Sequence, residues 1–197
     1  MPDKNKSLSE DYFNDVYRHN EDPWKFETSP YELAKYEVTI KALANKNYNS
    51  AFEIGCSIGV LTQMLAPKCK QLLSVDAAEA PLIKARERLK SYPMVSIQKM
   101  AVPNQFPQGK FDLVLMSEVG YYLAMPDLIR LQEMILKQLK PGGNLLLVHW
   151  TPFVPDYPLT GDEVHEAFFN VAGNEKDLKH LLHQQQDTYR LDLFEKQ

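Results

Sequence analysis

A glycine loop with an acid a fixed distance beyond it constrains this chain more than any other feature. Ser50-Ala51-Phe52-Glu53-Ile54 reads as a buried strand and runs into Gly55-Cys56-Ser57-Ile58-Gly59. The helical pattern Val60-Leu61-Thr62-Gln63-Met64-Leu65 follows. A second strand, Gln71-Leu72-Leu73-Ser74-Val75, ends on Asp76, twenty-one residues past Gly55. Strand, tight glycine turn, helix, strand and terminal acid make the half-sheet that holds a nucleoside beside a helix N-terminus. The loop is G-x-x-x-G, however, where a pyrophosphate site wants G-x-G-x-x-G. Gly55 is expected to take an unusual dihedral as the chain leaves the strand, and Gly59 lets the helix start close to the sheet. One glycine fewer leaves less room for a pyrophosphate. Asp76 is placed to accept hydrogen bonds from two ribose hydroxyls. A nucleoside without a diphosphate therefore fits better than NAD.

The same alternation continues through the chain. Strands are expected at 50–54, 71–75, 94–98, 111–116 and 144–150, with helices at 58–66, after Asp76, and at about 127–139. Leu82, Ile83, Ala85 and Leu89 form the inner face after Asp76; Leu128, Leu131, Met134, Ile135 and Leu139 form the next. Pro141-Gly142-Gly143 reads as a tight turn. Strands alternating with helices or crossover segments predict a parallel sheet covered on both sides. Two helices precede it. One spans 9–19, with Tyr12, Phe13, Val16 and Tyr17 on one face. The other starts at a capping box of Ser29, Pro30 and Glu32, carries Leu33, Tyr36, Ile40 and Leu43, and ends at 45–49. The first residues read as loose. After a proline-rich loop, 151–160, Thr160 and Glu163 box a helix over 161–171. Two strands near 179–184 and 188–195 then form an antiparallel pair.

A chain of 197 residues with 44% hydrophobic and 24% charged residues fits one soluble domain. A net charge of -4 gives no general attraction to nucleic acid or an anionic membrane, so neither is expected as a partner. Two cysteines, Cys56 and Cys69, make no disulfide scaffold and close no zinc site. Residues 1–6 lack an apolar targeting core, and no apolar run approaches the ~18 residues of a membrane span. A cytoplasmic protein is the expectation.

Glu53-Ile54-Gly55-Cys56-Ser57-Ile58-Gly59, Asp76, Phe111-Asp112-Leu113-Val114 and Pro141-Gly142-Gly143 together resemble the landmarks of class I S-adenosylmethionine-dependent methyltransferases. The chain is more closely similar to the NodS-like (nodulation protein S) branch. Asp22-Pro23-Trp24, Tyr31-Glu32 with Lys35-Tyr36, Gly55 to Leu61, Ser117-Glu118-Val119 with Tyr121-Tyr122, His149-Trp150 and Asp156 to Asp162 carry that likeness. The resemblance implies an α/β Rossmann-like methyltransferase fold: a three-layer sandwich with a mostly parallel seven-stranded sheet, an antiparallel last strand and two extra N-terminal helices. It implies one methyltransferase domain over 1–197, with 1–48 as a helical cap. S-adenosyl-L-methionine would be the methyl donor and S-adenosyl-L-homocysteine the product. Members of that branch methylate a sugar amine, so the implied acceptor is a small polar molecule such as an amino sugar. A monomer or weak homodimer is expected.

The implied cofactor-binding residues are Trp24, Tyr31, Lys35, Glu53, Gly55, Cys56, Ser57, Gly59, Asp76, Ala77, Met100, Ala101, Ser117 and Glu118. Lys35 either pairs with the methionine carboxylate or is solvated, and Trp24 either covers the cofactor or plugs a core edge. Strand three ends in Gln98-Lys99-Met100-Ala101 where many such enzymes place an acid, so Met100 and the Ala101 backbone are the expected adenine contacts. The candidate catalytic residues are Glu118, His149 and Asp156. Two have plainer readings: Glu118 caps the segment after its strand, and His149 is a satisfied histidine bonded to backbone; Asp156 lies in what reads as an acceptor-binding loop. Asp156, Asp162 and His165 match no metal spacing, so no metal is expected. Two rival functions stay open, a nicotinamide-dependent oxidoreductase and a nucleoside-binding protein without catalysis.

Overall fold

The structure, a computed structural model, describes residues 4–44, 46–173 and 177–197. It divides into two compact units, Ser9–Ala101 and Met1–Leu8 with Val102–Gln197. The expected end of the second helix at 45–49 begins outside the described residues, as do residues 1–3 and 174–176 of the expected domain.

The first unit opens with α1 (Glu10–His19), capped by Ser9, and α2 (Pro30–Ala42), capped by Ser29 with Pro30 behind it. Half of the expected box on α2 is made as foreseen: Ser29 Oγ accepts the Glu32 N–H at 3.3 Å. The Glu32 carboxylate pairs with Lys35 Nζ at 3.0 Å. That pair alters the helix face. Glu32, Lys35, Tyr36, Thr39 and Leu43 are buried, whereas Leu33, expected inside, is half exposed. Opposite charges one turn apart let two ionic side chains go inward together. Between the helices, the Asp22 carboxylate accepts the N–H groups of Phe26 (2.8 Å) and Glu27 (3.0 Å) and fixes the linker that carries Trp24.

Strands β1 (Ala51–Ile54), β2 (Leu72–Asp76) and β3 (Val95–Lys99) pair in parallel in the order β3-β2-β1. Every β1 residue is buried, as a parallel strand covered on both faces requires. Between them lie α3 (Val60–Leu65) and α4 (Glu79–Leu89). The expected α3 is shortened because Pro67 lies in a 3-10 turn, Ala66–Lys68. On α4, Leu82, Ala85 and Leu89 are buried as expected, but Ile83 is 65% exposed: it falls on the outer side of the turn.

The second unit holds β4 (Phe111–Ser117), α5 (Met125–Gln138), β5 (Leu139–Trp150), α6 (Gly161–Phe169), β6 (Leu178–Gln185) and β7 (Tyr189–Lys196). Leu128, Leu131 and Ile135 of α5 are buried. β4 and β5 are parallel; β7 is antiparallel to both β5 and β6 and lies between them. The Pro141-Gly142-Gly143 turn sits inside β5 rather than before it. The ladder advances from Phe111 to Leu113 on β4 while β5 advances from Leu139 to Asn144, so the intervening residues loop out. The capping box on α6 is present in both directions. Ser7 and Leu8 are tied down: Ser7 Oγ accepts the Ala124 N–H and donates to Asp127, and Leu8 N–H donates to the Tyr122 carbonyl. No described helix is long and apolar enough to cross a membrane.

Candidate active site

In the first unit the chain leaves β1 through three left-handed residues, Gly55 (φ 84), Ser57 (φ 47) and Gly59 (φ 80). Gly55 and Cys56 donate their N–H groups to the Val75 carbonyl, which folds the loop back onto β2. A Cβ on Gly59 would lie 3.2 Å from the Ala85 backbone, so glycine is what lets α3 lie against α4. Arg88 reaches from α4 to donate to the Ile58 carbonyl at 2.9 Å and also pairs with Glu27.

Asp76 stands at the end of β2 as expected. Its Oδ2 accepts the Ser57 N–H and its Oδ1 the Ala78 N–H, both at 3.0 Å. Burial raises its pKa to about 6, against the opposing pull of the Ala78, Ser57 and Ala77 N–H groups. One carboxylate thus ties the glycine loop to the segment that starts α4. Ala77 lies in that segment, and the Met100 N–H donates to the Asp76 carbonyl at 2.9 Å. The structure therefore brings Ser57, Asp76, Ala77 and Met100 to one end of this three-stranded sheet, with Ala101 following Met100. Cys56 is buried and its thiol is pushed up by burial, so it lines the loop as a neutral side chain.

Glu53 is fully buried and accepts the Ser74 hydroxyl proton at 2.6 Å. Burial pushes its pKa up to about 7, above an unfolded value of about 4.3. Below about pH 4.3 the carboxyl is neutral in both states. Above it the unfolded chain ionises first, so this group's stability contribution is lost as pH rises through 7. Glu53→Gln is expected to stabilise the ligand-free protein at pH 8 by about 1–3 kcal/mol and to change little at pH 4. Urea titrations at the two pH values check this; equal shifts at both would contradict it.

The sequence reading treated Tyr17 as one member of an apolar helix face. In the structure its hydroxyl shares a 2.6 Å hydrogen bond with Ser57 Oγ, at the left-handed residue of the glycine loop. Burial drives its pKa well up, so the phenol stays protonated. The Tyr17 ring meets Trp24 edge-on at 5.7 Å, and Trp24 stacks on Phe26. Its position on the buried side of α1 could be read from the sequence; its partner forty residues away could not. Lys35 is buried against Glu32, with its Nζ 5.3 Å from the Tyr31 ring.

In the second unit, Ser117 ends β4 buried and Glu118 follows in the left-handed region (φ 57), a strained conformation for a residue with a side chain. Glu118 Oε2 accepts the Tyr121 hydroxyl at 2.6 Å and the Trp150 N–H at 2.9 Å. Burial and the Glu118 charge hold the Tyr121 pKa well up. Tyr121 stacks on Tyr157 at 5.0 Å, and Tyr122 meets Tyr157 edge-on at 4.8 Å. His149 is fully buried; its Nε2 accepts the Gly120 N–H at 3.1 Å. The structure thus brings Glu118 and His149 to one turn, whereas Asp156 is exposed in the loop, next to Tyr157. The sequence reading missed Gly120. A Cβ there would lie 2.5 Å from Val164 Cγ1 and 3.0 Å from His149 Nε2. Among the described residues, no group of three or more His, Cys, Asp and Glu side chains is placed to hold a metal ion.

The family model for nodulation protein S (NodS) matches residues 3–148. A nodulation protein S of Bradyrhizobium diazoefficiens is 32% identical over 159 residues, 79% of this chain and 70% of that protein. One from Rhizobium tropici is 29% identical over 130 residues, 64% of this chain. The match spans 54% of the Rhizobium tropici protein and 59% of one from Sinorhizobium fredii, so the chain covers just over half the length of these relatives. Among solved structures, N-methyltransferase NodS from Bradyrhizobium japonicum WM9, in complex with S-adenosyl-L-homocysteine, superposes with a TM-score of 0.82 at 22% identity. The superposition covers 96% of this chain and 99% of that one. That likeness shows the fold: a Rossmann-like methyltransferase fold with a mostly parallel seven-stranded sheet, an antiparallel last strand and two additional N-terminal helices.

Proposed function

This chain belongs to the nodulation protein S family, and from that premise we propose that it is an S-adenosylmethionine-dependent methyltransferase acting on a small polar acceptor. The observation that carries this reading is the Asp76 carboxylate. It ties the Ser57 and Ala78 N–H groups across a G-x-x-x-G loop that has no third glycine for a pyrophosphate. The donor set fits the cofactor in chemistry. Asp76 would offer an acceptor to a ribose diol, Met100 and the Ala101 backbone would hold the adenine, and Glu53 lies in β1 just before the loop. Trp24, Tyr31 and Lys35 would belong to the cap formed by residues 1–48. The Tyr17–Ser57 bond supports that role, since it fastens α1 to the loop. Ser117 and Glu118 complete the cofactor set, with all 197 residues working as one methyltransferase domain.

When bound, the cofactor supplies a methyl group on a sulfonium, already electrophilic, so the protein's task is alignment and proton removal. Glu118 is assigned the acceptor's proton, because its carboxylate is held by Tyr121 and Trp150 and carried on a strained, left-handed backbone. Asp156, exposed beside Tyr157, is assigned to binding the acceptor. The stacked Tyr121 and Tyr157 rings favour an acceptor with a flat apolar face, and the C–H face of an amino-sugar ring meets that requirement. The solved relative described as an N-methyltransferase supports an amine over a hydroxyl.

Calorimetry with S-adenosylmethionine, S-adenosylhomocysteine and NAD, followed by transfer of labelled methyl to amino sugars, deacetylated chitooligosaccharides and small amines, tests the reading. Binding of both adenosyl ligands with labelling of an amine is expected. Binding of NAD alone would establish the oxidoreductase instead. Adenosyl binding without transfer to any acceptor would leave a nucleoside-binding protein.

A further inference from the structure

Three of the five histidines bond to one buried carboxylate in the second unit, and a fourth, His149, reaches it through His165. Asp192, on β7, is fully buried. Its Oδ2 accepts from His165 Nδ1 at 2.6 Å and from Arg190 Nε at 2.7 Å; its Oδ1 accepts from His180 Nε2 at 2.8 Å and His183 Nδ1 at 2.9 Å. Burial pushes this carboxyl's pKa up, but the bonds from His165, His183 and Arg190 outweigh burial and hold it well below the usual range. Asp192 is therefore an ionised anchor.

From it a single-file path runs inward. His165 Nε2 lies 3.1 Å from His149 Nδ1, and His149 Nε2 accepts the Gly120 N–H. A backbone N–H can only donate, so His149 Nε2 is an acceptor and its proton sits on Nδ1. That proton is donated to His165 Nε2, which leaves the His165 proton on Nδ1, facing the carboxylate. A donor at one end and an anion at the other fix both tautomers and keep both rings neutral. Burial lowers the His165 pKa in the same sense. Well-packed apolar residues often replace buried ionic groups without loss of stability, so the use sought for this polar path is positional.

That use lies at the Gly120 end. Glu118 accepts the Trp150 N–H, while His149, next to Trp150, accepts the N–H of Gly120, two residues past Glu118. The two segments brace each other reciprocally, side chain to backbone in both directions. We infer that Asp192, His165 and His149 are positioning residues: they hold Gly120 in place and so keep Glu118 in its left-handed conformation, aimed at the acceptor. The inference rests on the methyltransferase reading and assigns three residues that all lie past residue 148, where the family match ends. It also removes His149 as the general base, since the Nε2 lone pair is committed to Gly120.

The arrangement is acid-sensitive. The ionisable groups facing the path are Glu118 and Tyr121 on the turn, Asp162 and Glu166 on α6, His180 and His183 on β6, and Arg190 on β7. A second proton on His149 or His165 sets N–H against N–H inside a buried path, and Gly120 loses its acceptor.

The test uses the whole protein with 15N-labelled histidine. Both His149 and His165 are expected as Nδ1–H tautomers in the wild type, with a slowly exchanging Gly120 amide. His165→Phe and Asp192→Asn are expected to speed Gly120 exchange and to lower kcat toward a deacetylated chitooligosaccharide by about 10- to 100-fold, with the Kd for S-adenosylhomocysteine within about twofold of wild type. An Nε2–H tautomer on either histidine of the wild type overturns the inference whether or not the variants fold. A folded His165→Phe with full kcat overturns it too. A wild type that binds no adenosyl ligand overturns the methyltransferase reading instead, a result the tautomers do not depend on.

Discussion

Gly161→Ala is expected to destabilise the protein by about 3 kcal/mol or more, the largest stability loss of any single added methyl group considered. Gly161 opens α6, and an added Cβ would lie 2.2 Å from the Trp150 carbonyl oxygen and 3.1 Å from His149 Cβ. The obstacle is backbone of β5, where Trp150 and His149 are paired with β7 and Val148 with both β4 and β7, so no flexible side chain can swing away. Gly142→Ala is the contrast: its φ of 72 strains an alanine, but nothing lies within 4 Å, so its cost is about 1 kcal/mol. Urea unfolding of the two variants separates crowding from dihedral strain. Equal losses would mean that the close approach of α6 to β5 is not held in solution.

Asp76→Ala is expected to weaken S-adenosylhomocysteine binding at least about 100-fold, because it removes the acceptor proposed for the ribose and leaves the Ser57 and Ala78 N–H groups without theirs. The wild type should also show a titration. With a pKa of about 6 in the free protein, Asp76 must lose its proton to accept from two hydroxyls. Affinity therefore falls as pH drops through 6, by about tenfold per unit at the limit. Asp76→Asn should bind weakly with that limb gone. Since Glu53 titrates near 7, the calorimetry is run in a Glu53→Gln background from pH 5 to 8. A limb that persists in the Asp76→Asn variant would assign the titration elsewhere.

The parts of this fold that rest on local pattern were legible in the sequence. The apolar residues of β1, of β4 from Leu113 to Met116 and of β5 from Leu145 to Val148 mark three buried strands, and Ser29, Thr160 and Glu163 announce two helix starts within four residues each. Gly55, Gly59 and Asp76 were legible because the loop and the acid are set by one strand–helix–strand unit. What failed was face assignment where charge goes inward: the buried Glu32–Lys35 pair turned α2 so that Leu33 faces out. Partnerships across long separations also escaped. Tyr17 with Ser57, and Ser7 with Asp127, are invisible to periodicity. Asp192 between Leu191 and Leu193 was the one signal of a buried charge in β7, and nothing local names the histidines that answer it.

β7 lies between β5 and β6 although β6 precedes it in the chain. The β6–β7 hairpin, closed by residues 186–188, can form by itself within microseconds; docking on β5 must then bridge a much longer stretch of chain. When it docks, seven β5 residues from Asn144 to Trp150 gain partners together, and Asp192 arrives beside His165 in the same event. Reversal of that step is expected as a subglobal opening in which the hairpin, His149 and the Glu118 turn come loose together. Amides of β7 and of Gly120 should then share one opening free energy, so the lifetime of the competent turn is the dwell time of a hairpin on its neighbour.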